Sequence, residues 1–304
     1  MLVSHYIATR QSPQLSDVGS AQHLREQGFS AQRFCAQPEN LCMSYLTGAP
    51  LTAAQKLSYA VEIESGGRRD TVRLALDRHG APAQFRGTVL LLHGFRASKE
   101  FMANTALYFR FLGFDVLVPD LLGSGESDGV LSFGVRDSRI LSQLLDSRPE
   151  ISAPLYVLGN SMGALAATHL AVSRKDLRGL ILQAPMPVFD RAVVNYIESY
   201  SPRLAWCLTE RAMKEGAVSA LAHAGVSLAQ TDIRPLVASL PIPVLILASD
   251  EDPVAPFEEY RSLEGRAVSV ARVEKRGHAG MAVIGGSEAE IIDHWLPTVS
   301  RSPE

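Results

Sequence analysis

Cysteine is scarce: the 304 residues hold three, Cys35, Cys42 and Cys207. These are too few, and too irregularly spaced, for a disulfide framework, and none has the paired spacing of a zinc site. Cys35 and Cys42 lie near enough to pair, but buried thiols are the expectation. An excess of one charge is also missing. With a formal net charge of −3, no overall field recruits phosphate backbones or anionic lipid, so nucleic acid is not an expected partner. No apolar run reaches the roughly 18 residues of a transmembrane helix. The opening MLVSHYIATRQSPQ lacks the basic stretch, apolar h-region and cleavage site of a secretory leader. The expectation is a soluble, cytoplasmic protein, with an exported form left open if a leader has been removed. Homodimer formation is also left open.

Hydrophobic residues make up 46% and charged residues 20%, the balance of a globular chain with a sizeable core. From about residue 57, short apolar runs alternate with segments of helical period, the signature of an α/β protein whose central sheet is covered on both faces. KLSYAVEIES and TVRLALD, joined by Gly66-Gly67, read as a hairpin opening that sheet. TVLLLHG (88–94), FDVLVPD (114–120), PLYVLGN (154–160), LRGLILQAP (177–185), IPVLILASD (242–250) and AVSVARVE (267–274) read as about six roughly parallel strands. Helical spacing lies between them near 98–112, 132–147, 161–174, 256–264 and 286–296. Residues 51–186 and 241–304 are thus expected to form the core, and the mostly helical 187–240 a cap or lid inserted over one end of the sheet. Residues 1–50 are polar, weakly periodic and of unclear structure.

Gly159-Asn160-Ser161-Met162-Gly163 follows the strand PLYVL and opens a helical run, the strand–turn–helix setting of a nucleophile elbow. Gly159 and Gly163 let strand and helix pack closely around a strained serine, with the helix N-terminus behind it. Gly125-Glu126-Ser127-Asp128-Gly129 also fits G-x-S-x-G, but it lies in a loop with no helix starting at the serine, so Ser127 is read as a loop residue.

A serine hydroxyl needs a base to take its proton and an acid to orient that base. His278, in KRGHAGM after the last strand, is placed to reach Ser161. For the acid, Asp250-Glu251-Asp252-Pro253 follows IPVLILAS; Asp252 lies deeper in the loop, and Asp250 stays open as the alternative. The order Ser, Asp, His suits the same reading. An oxyanion would be met by two backbone amides, Met162 after the nucleophile and Phe95 in LLLHGFRAS, where Gly94 permits the sharp turn and His93 braces the loop by hydrogen bonds.

LLLHGF, PDLLGSGESDG, GNSMG, SDEDPVAP and GHAG together resemble the α/β-hydrolase superfamily, in its monoacylglycerol lipase and serine-aminopeptidase-like branch or its Bem46-like one. The resemblance covers about 57–300, with the first fifty residues and the insertion at 187–240 outside it. It implies an α/β-hydrolase fold, Ser161 as nucleophile, Asp252 as acid, His278 as base and no cofactor or metal. It implies structural support from the loop holding Asp120, Gly123, Gly125 and Ser127. The activity implied is hydrolysis of a carboxylic ester, lipid-like or thioester included, with a small-molecule acyl substrate. Acyl transfer or perhydrolysis on the same residues, or ligand binding without turnover, are the alternatives.

Overall fold

The computed structural model describes residues 21–65, 67–149 and 151–300. Among them, eight strands form one sheet in the order β1-β2-β6-β5-β7-β8-β9-β10. The strands are β1 (Phe29–Ala36), β2 (Leu41–Gly48), β5 (Thr88–Leu92), β6 (Asp115–Pro119), β7 (Leu155–Asn160), β8 (Leu177–Gln183), β9 (Val244–Ala248) and β10 (Val268–Arg272). From β6 to β10 neighbouring strands are parallel. Every residue of β5, β7 and β9 is buried, which is why these segments read as unbroken apolar runs: both faces are covered, and no outward polar position exists to break the run.

The chain passes from β5 to β6 on one side of the sheet and then returns to place β7 on the other side of β5. Such a reversal leaves a crevice at the C-terminal ends of the two strands, where open α/β sheets receive ligands. His93 and Gly94 follow β5, and Ser161 follows β7, so this crevice carries the motifs singled out in the sequence.

The helices are α1 (Ala21–Glu26), α2 (Ala103–Leu112), α3 (Asp137–Asp146), α4 (Met162–Ser173), α5 (Phe189–Tyr200), α6 (Pro202–Cys207), α7 (Glu210–His223), α8 (Ile233–Ser239) and α9 (Gly286–Ser300). Helix α4 packs on β7 and β8 and is buried nearly all round, so its sequence is apolar without a stripe. Helices α5 to α8 occupy the long connection between β8 and β9, α5 packing on α7. Among the described residues no helix is long and apolar enough to cross a membrane.

Three sequence expectations change. The hairpin of β3 (Lys56–Ser65) and β4 (Arg68–Asp77) does not open the main sheet; its strands pair only with each other. Its apolar face, Val61, Ile63 and Val72, packs instead on Val283 beside the His278 loop. The antiparallel start is formed by β1 and β2, with β2 pairing antiparallel to β6. The 256–264 segment forms two short 3-10 turns, Phe257–Glu259 and Arg261–Leu263, rather than a helix, because the chain must turn near Gly265 into β10 within one or two turns. Cys35 and Cys42 are joined in a disulfide, not held as buried thiols: the β1–β2 register sets them directly opposite each other. Cys207 is free but exposed.

Candidate active site

Ser161 sits between the last residue of β7 and the first of α4 with φ 51° and ψ −113°, a backbone state that non-glycine residues rarely adopt. The surroundings enforce it. A Cβ at position 159 would lie 2.2 Å from the Gly163 carbonyl oxygen, and one at 163 would lie 2.2 Å from that of Leu92. Both glycines are therefore required by backbone meeting backbone, and the strain at Ser161 is held by contacts that leave no other path. The Ser161 amide donates to the Gln183 carbonyl at 2.9 Å, tying the turn to β8.

Ser161 Oγ lies 2.9 Å from His278 Nε2, and His278 Nδ1 lies 2.8 Å from Asp252 Oδ2. Asp252 is completely buried. Its other oxygen, Oδ1, accepts from the amides of Val254 at 2.8 Å and Ala255 at 2.9 Å. The carboxylate is thus fixed on both sides, and burial strengthens its attraction for an imidazolium. The arrangement suits proton transfer from an alcohol to an imidazole held in one tautomer. Asp250 instead pairs with Arg272 at 2.9 Å on the surface.

His93, fully buried at the end of β5, has its Nδ1 2.8 Å from the Gly94 carbonyl, while its Nε2 accepts from the Leu121 amide at 2.9 Å. Those two bonds require a neutral ring protonated at Nδ1, and burial keeps its pKa below the usual histidine range. Gly94 approaches the nucleophile so closely that a Cβ there would lie 2.9 Å from Asn160 Oδ1 and 3.4 Å from Ser161 Cβ. Phe95 lines the cavity beside Ser161, and Met162 begins α4, where the first amides have no partner within the helix.

The 120–128 loop is bound to the loop after β5 by Lys99. Its Nζ reaches Asp120 Oδ2 at 2.7 Å, Glu126 Oε2 at 2.9 Å and Glu100 Oε1 at 3.0 Å. Burial disfavours that ammonium, but the bond to Asp120 and the carboxylate charges outweigh it, and the Lys99 pKa is raised. Ser127 Oγ donates to the Asp120 carbonyl at 2.7 Å and accepts from the Ser44 amide at 2.9 Å. The second G-x-S-x-G serine thus serves loop structure.

A cavity of about 460 Å³ opens beside Ser161 and His278, within the usual range for a small-molecule site. One wall is helix α5: Phe189, Ala192, Val193, Tyr196, Ile197 and Tyr200 all face it, spaced three and four apart as one helical stripe. Tyr200 stands near the triad-like group, and its phenol is pushed up to about 12 by burial and by the charge of Asp252, against a hydrogen bond from the His278 backbone. Glu64 and Ser65 at the end of β3 also line the cavity. Sequence reasoning did not assign that hairpin to the site, since nothing in an alternating strand pattern tells which neighbour its tip will touch.

Residues 83–214 match the model of the serine aminopeptidase, S33, family. Lipase 1 of Psychrobacter immobilis is 34% identical over 98 residues, which cover 31% of this chain and only 30% of that lipase. Among solved structures, the Pyrococcus furiosus esterase Pf2001 superimposes with a TM-score of 0.64 at 16% identity, covering 95% of this chain and 97% of its own. A thermophilic esterase from Thermogutta terrifontis gives a TM-score of 0.54 at 18% identity, over 90% and 100%. The fold likeness covers nearly the whole chain, and the family match spans both the loop after β5 and the turn at Ser161. With its mostly parallel sheet and its serine elbow at the reversal point, the chain has the α/β-hydrolase fold, and its residues 83–214 are similar to the serine aminopeptidase, S33, family.

Proposed function

We propose that the protein is a serine hydrolase that cleaves a carboxylic ester through an acyl-enzyme on Ser161. The observation that carries this reading is the continuous hydrogen-bonded line from Ser161 Oγ through His278 to buried Asp252. In the first half-reaction Ser161 Oγ attacks the ester carbonyl while His278 Nε2 takes its proton. The tetrahedral oxyanion is met by the amides of Phe95 and Met162, donors of a kind worth about 3–4 kcal/mol each in acyl transfer. As the C–O bond breaks, His278 returns the proton to the leaving alkoxide, and an alcohol departs. Water then enters, loses its proton to His278 and attacks the acyl-enzyme; collapse releases the carboxylic acid and restores Ser161. Asp252 stays ionised throughout and stabilises the imidazolium.

The stripe of α5 gives the cavity an apolar wall, which favours an apolar acyl group over a charged one. In this reading residues 187–240 act as a cap whose first helix shapes the acyl site. A fluorophosphonate probe should label the intact protein, and p-nitrophenyl esters should be hydrolysed. Ser161→Ala should abolish labelling and lower kcat by at least about a thousandfold. An unlabelled wild type, or equal labelling of the variant, refutes the proposal; labelling without ester turnover moves it to acyl transfer or ligand binding.

A further inference from the structure

The β3–β4 hairpin lies outside the main sheet, yet its closing end reaches the loops of both proposed acid and base. Arg68 Nη2 donates to Glu251 Oε2 at 2.8 Å, and Arg68 Nε donates to Asp70 Oδ1 at 2.9 Å. Asp70 Oδ2 in turn accepts from the Gly277 amide at 3.0 Å. Glu251 immediately precedes Asp252, and Gly277 immediately precedes His278. One line of hydrogen bonds therefore runs from the residue before the acid, across the hairpin, to the residue before the base.

The glycines flanking His278 agree with this. A Cβ at 277 would lie 2.9 Å from Asp70 Oδ2, and one at 280 would lie 2.6 Å from it. The run Gly277-His278-Ala279-Gly280 thus wraps the Asp70 carboxylate, which is buried. Energetics argue that the link serves geometry more than stability. Arg68 and Glu251 are 38% and 48% exposed in their side chains, and ion pairs so exposed contribute little to folding. A displacement of about 1 Å between reacting groups, by contrast, is enough to cost about a hundredfold in rate.

We propose, on the strength of the hydrolase reading above, that Arg68 and Asp70 are positioning residues that hold the Asp252 and His278 loops in register. The hairpin is then part of the active site, bracing its loops and walling the cavity with Glu64 and Ser65.

The test compares wild type with Arg68→Met, Arg68→Lys and Asp70→Asn for kcat and KM on p-nitrophenyl butyrate, for fluorophosphonate labelling rate and for thermal midpoint. In Arg68→Met and Asp70→Asn, kcat and labelling rate should fall by about ten- to a hundredfold with KM within about twofold. Arg68→Lys, which keeps a donor and the charge, should recover a large part of kcat. Unchanged kcat in folded Arg68→Met and Asp70→Asn overturns the proposal, as does a kcat loss that Arg68→Lys fails to relieve. Where the wild type itself is unlabelled and inert, the hydrolase reading falls and takes the brace with it. A labelled, active wild type with unaltered variants removes the brace alone.

Discussion

Asp250, Glu251 and Asp252 leave β9 as neighbours in sequence, yet each faces a different partner: Arg272, Arg68 and His278. Only Asp252 is fully buried, so only its charge acts through a medium that screens weakly. Asp252→Asn should lower kcat by about ten-thousandfold, as expected when the imidazole is left in the wrong tautomer. Asp250→Asn, which removes an exposed pair, should keep kcat within about twofold; parity between the two variants in ester assays would show that the wrong carboxylate has been chosen. At this scale the sequence is informative where chemistry demands a residue type at a local position. The elbow glycines are legible because the clash they avoid is between residues close in the chain or on adjoining strands. The role of Glu251 is not, since its partner lies 183 positions away and nothing in SDEDPVAP marks which carboxylate faces a distant arginine.

The hairpin and the first two strands show what periodicity can and cannot tell at the scale of elements. Alternation correctly marks β3 and β4 as strands with one buried face, but it is silent on what that face covers, and here Val61, Ile63 and Val72 pack on Val283 beside the His278 loop while Leu74 joins the main core. Strand β1, FSAQRFCA, has an exposed central stretch and is an edge strand, so its weak pattern passed for an irregular extension. The helical character of 187–240 is readable, whereas the orientation of α5 toward the cavity follows only from packing. That orientation yields a prediction. Ala192 is 5% exposed and faces the cavity, so Ala192→Phe would fill acyl space. Hydrolysis of long-chain p-nitrophenyl esters should drop by about tenfold in kcat/KM relative to the acetyl ester. An unchanged chain-length profile in a folded variant would place the acyl group elsewhere.

Taken as a whole, the molecule is legible wherever burial on both faces of the sheet leaves uninterrupted apolar runs, and obscure where strands lie at an edge or outside the sheet. The same deep burial that makes β5 readable sets a condition on the entire fold through His93 at its end. In the unfolded chain His93 takes up a proton as pH falls through about 6.5; in the folded protein, burial and the Leu121 amide aimed at Nε2 delay that uptake. Above that value both states are neutral there and His93 contributes no slope. Below it the unfolded state binds more protons, so stability falls with pH by up to about 1.4 kcal/mol per unit until the folded pKa is reached. Asp137, whose carboxyl burial pushes up, acts in the opposite sense, and a charged His93 would lower it. Comparing wild type with His93→Asn therefore reads the histidine together with its effect on Asp137. Urea unfolding at pH 6.5 and 5.5 should show the wild type losing more stability than His93→Asn over that interval, even though the variant starts less stable. Equal losses would mean that His93 is protonated in the folded state, which its two hydrogen bonds forbid.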